Sequence, residues 1–189
     1  MEKQSRAKGT QDAIALLIED HKKVQKMFKD YDRLKEQDGA DEDKSQLCKQ
    51  ICDELTIHTH IEEEIFYPAA RAAIDEEDML DEAEVEHASA KGLISQLDSM
   101  QPDDDLYDAK VTVLGEYISH HVKEEQDEMF PKVKKTKLDL NALGEEMLER
   151  KQELQAEMGL AEPMDVEDEM PIAKSASRSN KKSAAGGRK

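Results

Sequence analysis

The chain has 189 residues, of which 38% are charged and 4% aromatic, and its formal net charge is −18. This acidity disfavours non-specific binding to nucleic acid, and no apolar run reaches the length that a membrane span requires. No secretory signal or transit peptide is recognisable, which predicts a cytoplasmic protein without membrane association. The abundance of helix-forming residues and the absence of alternating apolar patterns predict an all-α fold.

Four amphipathic helices are predicted over residues 10–34, 44–74, 77–100 and 104–134, with Thr10 as the first N-cap. The connections between them, 36–43 and the short loop around 101–103, favour an antiparallel up-down-up-down four-helix bundle. One histidine lies on the apolar face of each helix. The fourth face is assigned to Val113 or Leu114, Tyr117, His121 and Glu125, continued by Met129.

Beyond the bundle, a fifth helix is predicted over 140–158, started by Asp139 or Asn141. The predicted organisation is a disordered N-terminus (1–9), one domain (10–158, with the bundle to about 135 and the extra helix from about 139) and a disordered tail (159–189). The tail is acidic and then basic. It is expected to be solvated, with recruitment of a protein partner as the alternative.

A repeated string is the most informative feature of the sequence. Each copy is preceded by a lone histidine on an apolar helical face, and a repeat of this length indicates a two-helix unit used twice. Glutamate four residues after a histidine is common in so acidic a chain, but the aromatic–proline pair that follows is rare. The two copies are His58-x3-Glu62-x4-Tyr67-Pro68 and His121-x3-Glu125-x4-Phe130-Pro131, preceded by His21 and His87.

The repeated residues have the pattern of metal ligands. Residues four apart on an α-helix lie one turn apart on the same face, so each His–Glu pair can bind one ion. A core histidine with satisfied hydrogen bonds is the ordinary alternative for one such residue. For four histidines with two carboxylates it fails, because a buried carboxylate needs a partner and the same faces carry no Lys or Arg. The predicted ligands are His21, His58, Glu62, His87, His121 and Glu125.

Imidazole combined with carboxylate suits iron or manganese better than zinc. Two carboxylates shared among four histidines favour a two-ion site bridged by glutamate, so two iron ions are the leading prediction and manganese is also compatible. Two other histidines, His60 and His120, fall off the apolar faces and are assigned to the surface. Cys48 and Cys52 are interpreted as reduced, partly buried residues, with a regulatory thiol pair as the alternative.

Pro68 and Pro131 are predicted to kink or end the second and fourth helices, because proline lacks the amide hydrogen that the helix ladder needs.

The chain resembles the hemerythrin family, specifically the bacterial HHE cation-binding domain, over about residues 10–158. This resemblance implies a non-haem di-iron site in a four-helix bundle, with the histidines as terminal ligands and Glu62 and Glu125 as bridges. The matching segments are His21, HTHIEEEIFYP (58–68), EHASAKGLISQL (86–97) and HVKEEQDEMFPKV (121–133), followed by LDLNALGEEMLERKQEL (138–154), which resembles the segment after the bundle.

Two departures from the oxygen-carrying members bear on function. Those carriers have a second histidine on helix three where this chain has Lys91, and aspartate where it has Glu125. Iron coordination should therefore be more open, unless water or another glutamate fills the position. This favours reaction with O2, peroxide or nitric oxide over reversible O2 carriage.

Three functions remain open at this point. The first is a di-iron protein that binds or responds to O2, peroxide or nitric oxide in stress response or in iron or gas handling. The second is a di-iron enzyme that decomposes peroxide or reduces nitric oxide. The third is a metal-stabilised interaction bundle without a redox role. A monomer or small homo-oligomer is expected, with no specific nucleic-acid partner.

Overall fold

The computed structural model describes residues 11–160, and no strand occurs in that range. Two π-helical segments, Glu62–Phe66 and Glu125–Met129, each connect two α-helices. The predicted N-terminal segment and nearly all of the predicted tail lie outside the described residues. The helices are α1 Ala13–Lys35, α2 Asp41–Ile61, α3 Tyr67–Ala73, α4 Glu77–Leu97, α5 Tyr107–Glu124, α6 Phe130–Val133 and α7 Leu140–Glu157.

Four rods form the bundle: α1, α2 continued by α3, α4, and α5 continued by α6. α1 packs against α2 and α5, and α4 packs against the same two helices. The start of α1 shares an apolar cluster with the end of α2, and the start of α4 shares it with α6 at the end of the fourth rod, so neighbouring rods run antiparallel. The predicted all-α four-helix bundle with an additional helix is confirmed.

Local sequence accounts for where the helices begin. Asp12 caps α1 by accepting a hydrogen bond from the Ala15 amide at 2.8 Å, whereas the predicted cap, Thr10, lies outside the described residues. α2 begins at Asp41, three residues earlier than predicted, with three acidic residues in its first turn where the helix dipole favours negative charge. Asp139, one of the two residues predicted to start this helix, caps α7 through the Ala142 amide at 3.1 Å.

Two apolar clusters fill the bundle, one on each side of the histidines. The first, here the α7 cluster, includes Ile14, Leu17, Ile61, Phe66, Tyr67, Leu80, Phe130, Leu143 and Met147. The second, here the Tyr31 cluster, includes Val24, Tyr31, Ile51, Leu55, Ile94, Leu114, Ile118 and Val122.

The prediction is wrong for one residue of the fourth apolar face. Tyr117 is 48% exposed, and its neighbour Ile118 is buried in the Tyr31 cluster instead. Leu114 and His121 are seven residues apart, so either the third or the fourth residue after Leu114 could have continued the face. The fourth does so here.

α7 lies against α1 and α2, and a glycine permits its close approach to the start of α1. A Cβ built on Gly144 would lie 2.4 Å from the Gln11 carbonyl oxygen and 2.8 Å from the Ala13 amide nitrogen. Both neighbours are backbone atoms, so they cannot move aside as a flexible side chain could. None of the helices between residues 11 and 160 is both long and apolar enough to span a bilayer.

Gly144→Ala is expected to lower the free energy of unfolding by about 2 kcal/mol, because the added methyl group forces α7 away from α1. The matched control is Gly92→Ala, where a Cβ meets nothing within 4 Å. Since Gly92 lies in a helix interior, its replacement should stabilise the protein by about 0.5–1 kcal/mol. Chemical denaturation of both variants measures the difference, and equal stabilities would contradict the close packing.

Candidate metal centre

The helix register brings the six predicted ligand residues into one polar layer between the α7 cluster and the Tyr31 cluster. All six are buried, with exposed fractions between 0% for Glu62 and 5% for His58. α1 and α4 each supply one histidine to this layer. α2 and α5 each supply one histidine near the helix end, and the π-helical segments that follow supply the two glutamates.

The layer contains two groups of donor atoms. In the first, here the His21 pocket, the Nε2 atoms of His21 and His58 are 3.0 Å apart. Glu62 Oε1 lies 3.2 Å from His58 Nε2, and Glu125 Oε2 lies 3.2 Å from His21 Nε2. These four residues could hold one metal ion.

In the second group, here the His87 pocket, the Nε2 atoms of His87 and His121 are 3.1 Å apart. The other oxygen of Glu62, Oε2, lies 3.3 Å from His87 Nε2. Glu125 Oε2 lies 3.6 Å from His121 Nε2. Glu62, His87 and His121 could hold a second ion, with Glu62 shared between the two pockets.

The unpartnered oxygens of the glutamates test whether this donor set fits cations. Both carboxylate oxygens of Glu62 and Oε2 of Glu125 are buried and make no hydrogen bond, although each lies close to an imidazole nitrogen. Imidazole nitrogens that converge at about 3 Å on one another, beside carboxylate oxygens without a hydrogen-bond partner, have the arrangement of ligands around a shared ion. A cation in each pocket would also compensate the burial of the two carboxylates. The residues therefore fit a metal centre of two ions.

A π-helical turn begins at each buried glutamate. The amide of Tyr67 donates to the Glu62 carbonyl, and the amide of Phe130 donates to the Glu125 carbonyl, each across five residues. These wider turns directly precede Pro68 and Pro131. The helix continues to Ala73 beyond the first proline, whereas it ends at Val133, two residues past the second, so the predicted end lies close to the proline only in the second copy. Single π-helical turns inside α-helices occur frequently at functional sites.

Tyr67 is a site residue that the sequence analysis did not select. Its hydroxyl donates to Glu125 Oε1 at 3.0 Å and lies 3.3 Å from His87 Nε2 and 3.4 Å from His121 Nε2. The hydroxyl thus adds an oxygen to the His87 pocket. Phe130, its equivalent in the second copy, has no hydroxyl and stacks on His21 with ring centroids 6.0 Å apart. The aromatic residue of the repeated string indicated this position in the sequence, but the pattern does not show that the tyrosine hydroxyl reaches the metal pocket.

Lys91, which occupies the place of the fifth histidine of the oxygen carriers, bonds to a carboxylate outside the layer. Its Nζ lies 2.6 and 2.7 Å from the two oxygens of Glu63. Glu63 in turn lies 2.9 Å from Nδ1 of His87. Lys91 therefore acts behind a candidate ligand and does not replace one.

The other three histidines also have a polar side chain beside Nδ1. A carboxylate beside Nδ1 accepts its hydrogen bond, fixes the ring orientation and leaves Nε2 free to bind an ion. At His21 the partner is instead the amide nitrogen of Gln126, which donates toward Nδ1 and holds the ring without placing a proton there. The contacts are Glu86 with His121 at 2.8 Å, the Gln126 amide with His21 at 3.0 Å, and Asp20 with His58 at 3.7 Å.

The buried carboxylates favour the protonated form of two of the histidines when no ion is bound. Burial opposes the charged form of His58, but Glu62 and Asp20 outweigh it and raise the pKa to about 10. Burial likewise opposes protonation of His121, whereas Glu125 and Glu86 raise its pKa to about 9. Burial would raise the pKa of Glu62, yet the facing His58 and His87 hold it well below its ordinary value. Metal binding must displace the histidine protons.

A small closed cavity adjoins the histidine layer on the side of the Tyr31 cluster. Its volume is about 10 Å³, close to the space that a single water molecule needs. Apolar side chains form the far wall and keep bulk water from the donor atoms. The lining comprises Asp20, His21, Val24, Leu55, His58, Thr59, His87, Ile118, His121 and Val122.

The remaining histidines and the cysteines lie outside the layer. The side chain of His60 is 42% exposed and pairs with Glu64, and that of His120 is 64% exposed and pairs with Glu124. Cys48 and Cys52 are free thiols, both buried. They lie in the Tyr31 cluster, which agrees with their interpretation as small core residues.

Alkaline pH should destabilise the metal-free protein. The ordinary pKa of histidine is 6.5, so the stabilisation from charged His58 is fully present below about pH 6.5 and is lost as pH rises to about 10. The free energy of unfolding should fall over this range by on the order of 3 kcal/mol. Denaturant titrations of metal-free and metal-loaded protein at several pH values measure this effect. The loaded form should show little of it, and a flat profile for the metal-free form would contradict the charge assignment.

Comparison with known proteins gives three findings. Residues 12–133 match the hemerythrin HHE cation-binding domain. The crystal structure of an HHE cation-binding domain-containing protein from Mycobacterium kansasii is similar at a TM-score of 0.64 and 25% identity, covering 77% of this chain and 88% of that one. A protein described as a DNA nickase, from Nostoc sp. (strain PCC 7120), is 30% identical over 125 residues.

That match to the Nostoc protein covers 66% of this chain but 33% of the relative. The present chain thus spans about a third of that relative's length. The domain match, by contrast, covers most of the chain and contains all six predicted ligand residues. The chain belongs to the hemerythrin family of HHE cation-binding domains.

Proposed function

We propose that the six residues of the polar layer bind two iron ions and that the centre binds or reacts with O2, peroxide or nitric oxide. The observation that carries this proposal is the burial of Glu62, whose exposed fraction is 0% and whose oxygens make no hydrogen bond. Each oxygen faces the histidines of a different pocket. A carboxylate in this position is suited to bridge two cations.

The donor inventory supports iron and also admits manganese. Each pocket offers two imidazole nitrogens and carboxylate oxygens, and neither contains a thiolate. Imidazole with carboxylate is the ligand combination of non-haem iron and of manganese. Two divalent ions would also bring four positive charges to a layer with two carboxylates, which leaves capacity for an anionic or polarisable ligand.

The cavity supports a small ligand. With a volume of about 10 Å³, it has room for a group about the size of one water molecule beside the donor atoms. Val24, Leu55, Ile118 and Val122 are all buried and close the cavity toward the Tyr31 cluster. These apolar walls exclude bulk water and strengthen electrostatic interactions within the site.

Iron bound here would supply one-electron redox chemistry and an open coordination position for an oxygen- or nitrogen-containing ligand. The chain's own contributions are positional. The Nδ1 partners fix the four imidazole rings, and Glu62 and Glu125 set the spacing of the pockets. The Tyr67 hydroxyl supplies a hydrogen-bond donor inside the layer.

Consumption of peroxide or nitric oxide is the second candidate. The observation that favours it is the buried hydroxyl of Tyr67, since its proton lies beside the His87 pocket. Burial and the nearby Glu125 and Glu62 raise the pKa of Tyr67 well above its ordinary value, so the hydroxyl keeps its proton in the metal-free protein. A retained proton in a dry site is useful for cleaving an O–O bond.

Two other functions receive less support. A purely structural metal site does not account for a cavity beside the donors or for Tyr67. DNA cleavage, the activity in the description of the Nostoc relative, would require a phosphodiester to reach donor atoms that are at least 95% buried. A formal net charge of −18 also opposes approach of a polyanion.

Anaerobically purified protein is expected to contain about two iron ions per chain, as one ion in each pocket requires. Exposure to air should produce near-ultraviolet charge-transfer absorption from the oxidised, bridged centre. Metal analysis followed by optical spectra before and after air checks both points. A single zinc ion with no spectral change would reject the redox proposal, and loading with manganese alone would reject iron.

His58→Ala should abolish binding of at least one ion and destabilise the loaded protein, because it removes a donor from the His21 pocket. His60→Ala is the matched control: it lies two residues away on the same helix, and its ring is partly exposed. Iron content and thermal unfolding of the two variants show which of the two histidines of α2 is the metal ligand. Metal loss in the His60 variant with retention in the His58 variant would contradict the assignment of His58.

Tyr67→Phe should weaken metal binding and shift the optical spectrum, because Glu125 Oε1 loses its donor and the His87 pocket loses an oxygen. Tyr31→Phe is the control, since Tyr31 is equally buried and donates to Asp108 at 2.7 Å in the other cluster. Both variants should cost about 1–2 kcal/mol of stability. Only Tyr67→Phe should alter the spectrum and the rate of reaction with peroxide. An unchanged spectrum would place the hydroxyl outside the coordination of the metal.

A further inference from the structure

We propose that Lys151 of α7 and Lys91 of α4 are positioning residues, each of which fixes a histidine of one metal pocket through a carboxylate. This proposal rests on the proposed di-metal function, because it assigns the control of ligand geometry within that site. Lys151 lies beyond residues 12–133, so the helix after the matched domain would contribute to its metal centre.

The contact through Asp20 is the more deeply buried of the two. Asp20 precedes His21 in α1 and is only 7% exposed. Its Oδ1 is bonded to Lys151, which comes from a helix 131 residues further along the chain. Its Oδ2 faces His58 Nδ1 at 3.7 Å, and neither of these two atoms has another hydrogen-bond partner.

The two oxygens of the Asp20 carboxylate have different partners. One oxygen is held by the lysine, and the other faces the His58 ring. Slight closure of the 3.7 Å gap would let His58 Nδ1–H donate to Asp20. That bond fixes the ring with Nε2 directed into the His21 pocket, as outer carboxylates do for metal-binding histidines.

The second contact, at the His87 pocket, also runs from a lysine through a carboxylate to a histidine. Lys91 binds both oxygens of Glu63 at 2.6 and 2.7 Å, and Glu63 Oε1 lies 2.9 Å from His87 Nδ1. The lysine and glutamate side chains are 41% and 30% exposed, against 15% and 9% for Lys151 and Asp20. Solvent screens the exposed pair more strongly, so Lys91 should matter less than Lys151.

The lysines divide evenly between the pockets. His58 belongs to the His21 pocket and His87 to the His87 pocket, so each pocket has one ligand backed by a lysine–carboxylate pair. The other ligand of each pocket has a different partner: Gln126 for His21 and Glu86 for His121. The Nδ1 partners follow the repeat, since Asp20 and Glu86 each precede the first histidine of a copy and face the second histidine. The lysines do not follow it, because one comes from the bundle and the other from α7.

The test compares Lys151→Met, Lys151→Arg and Lys91→Met in the full chain, loaded anaerobically with ferrous iron. Lys49→Met is the control, because Lys49 is exposed and pairs only with Asp53 on the same helix. Two readouts are measured: the rate of iron release to a ferrous chelator, and the solvent exchange of the hyperfine-shifted imidazole N–H proton resonances.

Lys151→Met should accelerate iron release about tenfold and speed the exchange of one imidazole proton, that of His58. Lys91→Met should affect a different imidazole proton, that of His87, with a smaller change in release. Lys151→Arg should restore the wild-type values, since it returns the positive charge to Asp20. Lys49→Met should match wild type.

The proposal is overturned if Lys151→Met releases iron at the wild-type rate, or if Lys151→Arg behaves like Lys151→Met. Should Lys151→Met fold poorly, Asp20→Asn is the second variant. It should show the same release rate, and the double variant should be no faster, because both changes interrupt one contact. Additive effects would also overturn the proposal. Failure of the proposed function is recognised separately, since the wild-type protein would then take up no iron.

Discussion

The burial of two carboxylates at the centre of the bundle is the constraint on which the rest of the structure depends. Leaving an ionised carboxylate uncompensated in such a place costs several kcal/mol. Among residues 11–160, no lysine or arginine lies within the layer to compensate Glu62 and Glu125. It surrounds them with imidazoles, which can carry protons when no ion is bound and can share an ion when one is. The same six side chains are therefore consistent with a folded metal-free state and with a metal-loaded state.

The two halves of the centre are related by the sequence repeat but are not equivalent. Tyr67 adds a hydroxyl near the His87 pocket, where its counterpart Phe130 instead covers His21 with an apolar ring. The small cavity borders the histidines of both pockets, so the difference between them lies in these two aromatic side chains. One pocket gains a hydroxyl oxygen and the other an apolar wall.

The sequence alone predicted the fold class, the antiparallel arrangement and the six residues that form the layer, because each depends on a period of about 3.6 residues. The prediction put Tyr117 on the apolar face because a period of 3.6 residues allows either of two neighbouring residues at each turn to continue the face. Packing selects Ile118, and packing is not visible in the sequence pattern. The π-helical turns were missed because proline signals only that a hydrogen bond is absent, not how the backbone accommodates its loss. The sequence marks Tyr67 only as the aromatic position of the repeat, whereas the structure shows its hydroxyl among the candidate ligands. Contacts such as that of Lys151 with Asp20 join residues far apart in the chain, and no pattern in the neighbouring sequence predicts them.

The position of the polar layer between two apolar clusters links metal binding to folding. The α7 cluster unites the start of α1 and the end of α2 with α7, whereas the Tyr31 cluster unites the opposite ends of the same rods. Every rod crosses the layer, so the clusters can pack together only if the charges between them are balanced. Protons on His58 and His121 can supply that balance, but their effect depends on pH, whereas bound cations supply it over a wider range. An ion in each pocket would consequently act on both clusters at once, and α7 would share in this effect because Lys151 contacts the layer through Asp20. On this view the fifth helix belongs to the metal-binding unit and is not an appendage to the four-helix bundle.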